Sequence, residues 1–428
     1  MALGLIRIDG PLARGLLVGG VCVSVVIGLM FAKWCFADAA SPRAASKEMA
    51  DLLMRLAPSD PQTHFALAVL YEKTFIPEDI EHSLSEYEKA AALSPNNYLS
   101  WLELGKARSR NGDFVGAEGA FARTLALAPN YADVHWAYGN FLLRSDRTEE
   151  GFEHIRIAIN GKPELTDSAT STALAFFNGD SERVRQVLGS NGLVNASLAR
   201  SAIGRKQYDE AIFDWNQIPN DEKRLQFSDT GKMLSDRLIE ARHFRSAVAV
   251  TRDIWDDTDS GPSAGRIFNG DFEKAVRLRD ARSFDWQIAS GVDPQVAISD
   301  DKKHAGSFSL FLAFSSMKTS DLRSISQIVA VEPGTSYTFE AYYRAELTGS
   351  LAWEIADAAD GKVLGRTGAV QPASNWMVLN AAFTVPTGSD GIVIRLVRDG
   401  CVSSVCPIAG KVWFDDLSLN KSGAAGKQ

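Results

Sequence analysis

The stretch YLSWLELGKARSRNGDFVGAEGAFARTLALAP, from Tyr98 to Pro129, decides how the first half of the chain folds. Two short antiparallel helices pack closely only where small side chains let one backbone approach the other, and Gly105 and Ala117 supply that room. Trp101 and Phe121 fill the space between the helices. Pro129 ends the second helix, because proline withholds an amide hydrogen and excludes the helical conformation from the residue before it. The proline recurs at Pro61, Pro95, Pro129 and Pro163, a constant step of 34 residues, and each is expected to end a second helix in the same way.

Working outward, Tyr138, Gly139, Ala158 and Pro163 stand one step later at matching places, and Leu67, Leu70, Tyr87, Ala90 and Pro95 one step earlier. An aromatic residue is missing between Gly105 and Ala117, where Arg108 stands. This pattern and its period resemble the tetratricopeptide repeat family. The resemblance implies a stacked helical solenoid without catalytic groups, which holds a protein or peptide along its groove. The clear repeats span 44–163. From 164 to 255 the signal fades, but Ala199, Ala211, Trp215 and Ala247 keep the spacing of helical hairpins, so divergent repeats are expected to complete the solenoid. A separate small helical domain there is the alternative.

A chain of 428 residues with 45% hydrophobic content is too long for one core, and two to three domains are expected. The net charge of -8 argues against a nucleic-acid surface, which needs a basic face to displace counterions. Of the four cysteines, only Cys401 and Cys406 are spaced like a local disulfide, worth roughly 2 kcal/mol and stable only in an oxidising compartment. Two reduced thiols are the alternative, and neither a second pair nor a nearby histidine supports zinc.

After a short tail of residues 1–14, the run GLLVGGVCVSVVIGLMFA from Gly15 to Ala32 is uncharged and long enough to cross most of a bilayer as a helix. A transmembrane signal anchor over 15–36 is expected. Ala37-Asp38-Ala39 looks like a cleavage site, but Lys33, Trp34 and Phe36 make an awkward approach to it. Basic residues flank the span on both sides, so charge does not orient it. The close cysteine pair and the nature of the carboxyl-terminal domain place the bulk of the chain outside the cytoplasm of a bacterial-type inner membrane.

Asp256-Asp257-Thr258-Asp259-Ser260-Gly261-Pro262 breaks the helical pattern, and the linker is placed at 256–264. Beyond it, runs starting at Ser309, Ser324, Ser336, Leu351, Trp376, Gly391 and Lys411 alternate apolar and polar residues between Gly, Pro, Asn and Asp punctuation. Such short strands with no helix between them predict an antiparallel β-sandwich over 265–420, followed by a disordered tail at 421–428. The whole is thus multidomain α plus β.

FNGDFE (Phe268–Glu273), the Asp-rich turn into HAGSFSL (His304–Leu310), VEPGTSYTFEAYYRA from Val331 and WFDDLSL from Trp413 resemble, in order, the jelly-roll carbohydrate-binding modules of families 4, 9 and 22. The resemblance implies a structural calcium held by Asp271, Glu273, Asp301 with the backbone near Lys303, and Asp415 or Asp416, since calcium takes six to eight oxygens. Carboxylates that merely cap strand ends are the alternative. Sugar binding needs flat rings, and Trp286, Tyr342, Tyr343, Trp353 and Trp376 are the candidates. Adjacent on one strand, Tyr342 and Tyr343 point to opposite faces, so at least one lies outside the core.

No GxSxG, HExxH or GxxxxGK[ST] motif occurs, and the six histidines are dispersed, so an enzyme is not expected. The expectation is a membrane-anchored adaptor, with a protein in the solenoid groove and a glycan on the jelly roll, serving export or assembly of an extracellular polysaccharide. A purely protein-binding scaffold and a polysaccharide hydrolase with an unrecognised site are the other readings.

Overall fold

The computed structural model describes residues 10–255, 261–317, 322–399 and 406–422. The chain divides into two compact units, one ending at Gly189 and the other beginning at Ser190. The first unit is helical. Helix α1 (Pro11–Ala40) is long and apolar enough to cross a membrane, and its apolar side chains are exposed. It runs without a break through Ala37-Asp38-Ala39. Ala37 is fully buried with Leu53 and Ala57, so the end of the apolar helix docks on α2 (Lys47–Leu56).

Helices α3 (Pro61–Glu72), α4 (Pro77–Leu93), α5 (Tyr98–Arg110), α6 (Phe114–Leu127), α7 (Ala132–Arg144) and α8 (Thr148–Gly161) form three successive antiparallel hairpins. Phe121 is fully buried and Tyr87 nearly so, whereas Trp101 is half-buried and donates its Nε1–H to the Pro95 carbonyl at 3.1 Å. A Cβ on Gly139 would lie 2.8 Å from the carbonyl oxygen of Gly151, so the α7 and α8 backbones touch there. Arg108, standing where an aromatic was expected, reaches the Gly116 carbonyl at 3.2 Å and the Glu88 carboxylate at 2.8 Å, tying three helices by hydrogen bonds.

The proline ladder holds at three of its four rungs. Before Pro95, Pro129 and Pro163, the residues Ser94, Ala128 and Lys162 cap helix ends in the same non-helical conformation, with φ of -131, -139 and -137°. Pro61 does not end a helix. It occupies the first turn of α3 behind Asp60, whose carboxylate accepts from Gln62 and Thr63. The matching end is at Ala57, φ -138°, so the structural counterpart of Pro95 is Pro58. Three side chains confirm the register: His64, Trp101 and His135 each point a ring nitrogen at the carbonyl six residues back, on Pro58, Pro95 and Pro129. Helix α4, with 17 residues against 14 in α6 and α8, absorbs the difference. The first unit closes with α9 (Thr166–Phe176) and α10 (Ser181–Leu188).

The second unit begins with α11 (Gly192–Gly204), α12 (Tyr208–Asn216), α13 (Asn220–Leu225), α14 (Ser228–Glu240) and α15 (Phe244–Asp253), where Ala199, Ala211, Trp215 and Ala247 are all fully buried. Two antiparallel five-stranded sheets follow, built from β1 (Gln287–Ile288), β2 (Gln295–Ser299), β3 (Ser309–Ser316), β4 (Ile325–Ala330), β5 (Ser336–Thr348), β6 (Ala352–Asp357), β7 (Val363–Arg366), β8 (Ala373–Thr384), β9 (Gly391–Val397) and β10 (Ile408–Lys421). Their orders are β1-β4-β9-β6-β7 and β2-β3-β10-β5-β8. All seven runs read from the sequence form strands; β1, β2 and β7, of two to five residues, were not legible. The sheet also runs past 420. Lys421 pairs with Tyr337 and the Ser422 amide donates to Ser336, so these two residues belong to the sandwich.

Helices α14 and α15 share a core with the first sheet. Phe284 and Ala330 are buried in one cluster with Trp215, Leu234, Leu238, Phe244 and Ala247, and Ile328 and Ala358 pack against it. Asp390, in the turn before β9, accepts from the amides of Phe244 and Arg245 at 3.0 and 2.9 Å, capping α15 from the sandwich. A Cβ on Gly391 would lie 2.3 Å from the Phe244 ring.

Candidate functional site

Because side chains alternate along a strand, β5 sorts its residues cleanly. Tyr343, Ala345 and Leu347 enter the sandwich core, while Tyr342, Arg344 and Glu346 face outward. On β8, Leu379, Ala381 and Phe383 point in, leaving Val378 and Asn380 exposed. The first sheet lies under helices, so the outer face of β2-β3-β10-β5-β8 is the sheet surface where ring faces can meet a ligand.

Of the five aromatic candidates, Trp286, Tyr343 and Trp353 are core residues, at 2%, 4% and 0% exposure. Trp286 and Trp353 pack on each other with centroids 5.8 Å apart. These three assignments are corrected: filling the space between two sheets is what large rings on inward positions do. Tyr342 and Trp376 remain at the surface, half-buried. Joining them is His304, which sequence reasoning overlooked as a contact residue although it opens the HAGSFSL turn. Its ring stacks on Tyr342 at 3.8 Å and 15°, and meets Trp376 at 5.7 Å and 66°. One face of Tyr342 is therefore occupied, and Tyr342 backs the cluster from which Trp376 and His304 offer the remaining faces.

Carboxylates hold that cluster in place. A bulge in β10 between Asp415 and Ser418 puts Asp416 at φ +46° and sends its Oδ2 to His304 Nδ1, 2.6 Å away. Asp415 is buried and accepts the amides of His304 and Ala305 on one oxygen and of Asp416 on the other. Burial pushes its carboxyl above the usual range against the pull of these amides. From the first motif, Glu273 Oε1 accepts the amides of Ser307 and Phe308 at 2.7 and 2.9 Å. Gly306, at φ +59°, gives it room, since a Cβ there would lie 2.3 Å from Glu273 Oε1.

The expected calcium ligands thus meet only in part. Glu273, Asp415 and Asp416 converge on the 304–308 turn but accept hydrogen bonds from it, while Asp271 and Asp301 are exposed. Among the described residues no group of three or more His, Cys, Asp or Glu comes together as a metal site. Glu273 Oε1, both Asp415 oxygens and Asp416 Oδ2 accept from N–H donors, which leaves Glu273 Oε2 and Asp416 Oδ1 as the carboxylate oxygens of the turn without such a donor, so the five expected ligands do not form one donor set. Cys401 lies outside the described residues, and its expected pairing with Cys406 with it; Cys406 is buried.

The solenoid offers a second surface, a groove of about 710 Å³ lined by Lys106, Arg110, Trp136, Asn140, Arg144 and Phe176. Phe176 is 43% exposed. Lys106 and Arg110 are partnered by Glu103 and Glu72 at 2.8 and 2.7 Å. The groove therefore combines flat apolar surface with cations.

No family model matches the sequence, and no curated protein matches it. Among solved structures the chain is similar to one described as "CBM4 structure and function", at 16% identity over 36% of this chain and 99% of that one, with a TM-score of 0.29. It is also similar to MamA, at 18% identity, 36% and 88% coverage and a TM-score of 0.31, and to PilF of Pseudomonas aeruginosa, at 18%, 46% and 91%, with 0.33. Each likeness covers less than half of this chain and concerns fold; what those proteins bind stays a property of those proteins.

Proposed function

We propose that this chain is a non-enzymatic, membrane-anchored adaptor that holds a protein segment in its solenoid groove and a glycan on the outer face of β2-β3-β10-β5-β8. Export or assembly of an extracellular polysaccharide would use both surfaces. The observation that carries the glycan half is the His304–Tyr342–Trp376 cluster, rings left at the surface of the sheet opposite the one that α14 and α15 pack on. Sugar rings present apolar C–H faces that stack on such surfaces. Helix α1 supports the anchor, because Ala37 is packed inside the helical unit where a cleavage site would need to be open. The spacing of Cys401 and Cys406 supports an extracytoplasmic position for the rest.

Glycan-array binding by the full chain in detergent tests this. Wild type should bind, and Trp376→Ala should weaken binding roughly tenfold or more without a change in melting temperature. A second reading, in which the same face takes a protein, draws on Val378, 44% exposed opposite Tyr342. Loss of a protein partner in Trp376→Ala pull-downs, with no glycan bound by wild type, would favour it.

A further inference from the structure

The residues beside the ring cluster carry a charge imbalance that bears on which glycan fits. On the outer face of β5, Arg344 and Glu346 follow Tyr342 at alternate positions. Across from them on β10 stand Trp413, opposite Arg344, and Lys411, opposite Glu346. Lys302, from the turn that also carries His304, lies over the Trp413 ring at 4.1 Å and pairs with Glu346 at 3.2 Å. Lys302, Arg344 and Lys411 thus share this face with Glu346, and of the three Lys302 pairs with it. Among the described residues Arg344 has no carboxylate partner, and its Nε is buried without a hydrogen bond. Of the nearby acids, Asp416 is bonded to His304 and Glu340 to Asn420, while Asp300 and Asp301, exposed in the turn that carries Lys302, make no ion pair with Arg344.

A guanidinium kept free of partners beside aromatic rings is an unusual expense of desolvation unless an anion completes it. Its planar fork matches a carboxylate bidentately. Positions i and i+2 on a strand are ~7 Å apart, so a sugar ring on the cluster brings the acid group of the same or the next residue to Arg344. Resting on the glycan reading above, we infer that the ligand is an acidic glycan, a polymer containing uronic acids, with its carboxylate on Arg344 and a sugar ring on the His304–Trp376 surface.

The test uses the full chain in detergent with alginate and polygalacturonate, each beside its methyl ester, and with laminarin, xylan and dextran sulfate. Expected is binding to at least one polyuronate that falls about tenfold or more on esterification and weakens with added salt. Arg344→Gln should bring binding of the acid down to about that of the ester, so that the preference is lost, and Trp376→Ala should abolish both. Glu346→Gln, which deletes the competing carboxylate, should raise affinity for the acid severalfold and leave the ester unchanged, a gain that misfolding cannot produce.

Equal binding of acid and ester, an Arg344→Gln variant that keeps the preference, or binding of laminarin or xylan alone overturns the acidic assignment and leaves glycan binding standing. Tighter, Arg344-dependent binding of dextran sulfate overturns the carboxylate in favour of a sulfate. No binding to any of these polymers overturns the assignment, and an array blank for wild type overturns the glycan reading itself.

Discussion

Phe121 and Trp101 show how much depends on the depth of one side chain. Phe121 is fully buried between helices, with its ring 3.2 Å from where a Cβ on Gly105 would sit. Replacing it by alanine should cost about 3 to 5 kcal/mol. The half-buried Trp101 should cost less, about 1 to 2 kcal/mol, much of it the lost bond to Pro95. Chemical denaturation followed by helical signal measures both, and equal losses would show that the sequence-based placement of Trp101 in the core was right after all.

Two histidines give the solenoid opposite responses to acid. Glu86, hydrogen-bonded to His64 at 2.5 Å, raises the His64 pKa, with burial opposing. Burial pushes Glu86 up, but hydrogen bonds to His64 and Lys89 leave it below the usual carboxylate range. A histidine raised on folding stabilises fully below its unfolded value near 6.5 and loses that contribution as pH rises through the folded value. His64→Ala should therefore cost more at pH 5.5 than at pH 9. His154 behaves in the other sense. Burial and the neighbouring His135, at 2.7 Å between Nδ1 atoms, lower its pKa, so its environment destabilises as pH falls below about 6.5. Stability of His154→Phe compared with wild type between pH 8 and 5 should show the variant gaining ground in acid.

Among elements, the α7–α8 contact is decided by two glycines facing each other. Gly139→Ala would gain about 1 kcal/mol in helix propensity, but its Cβ meets the Gly151 carbonyl at 2.8 Å and Ile155 Cγ1 at 2.9 Å. Separation of the helices should win, with a net loss of about 1 to 2 kcal/mol; a higher denaturation midpoint would show that the hairpin yields easily. The 304–308 turn provides the corresponding test in the sandwich. Its amides already have Glu273 and Asp415 as acceptors. The melting temperature of the second unit should therefore be the same in calcium and in chelator, whereas Glu273→Ala should lower it in both. A rise in calcium that Glu273→Ala removes would restore the ion to this turn.

For the molecule, the second unit is helices and sandwich together. A fragment cut at Gly265–Asn420 would uncover Phe284, Ile328, Ala330 and Ala358 and release Asp390 from the end of α15. It should aggregate or melt early, while a fragment from Ser190 onward should melt in one transition. Asp390→Ala should cost about 1 kcal/mol, as loss of a helix cap does, and should appear in both helical and sheet signals.

Periodicity survives in sequence because helix and strand geometry impose it locally. The sandwich, seven of its strands and the opposition of Tyr342 and Tyr343 were legible from alternation, the apolar helix from composition and length, and the solenoid from a 34-residue spacing together with the resemblance it carries. Spacing also misled, since a proline at Pro61 fits the 34-residue step by number while α4 has absorbed three residues and the true counterpart is Pro58. Which rings remain outside was not legible. Trp286 and Trp376 are equally apolar in the sequence, and only the pairing of strands, the bulge that turns Asp416 to His304, and the packing of one sheet on the other decide that the first is core and the second surface. Burial is a property of what packs on a residue from far along the chain, and tertiary structure alone determines it.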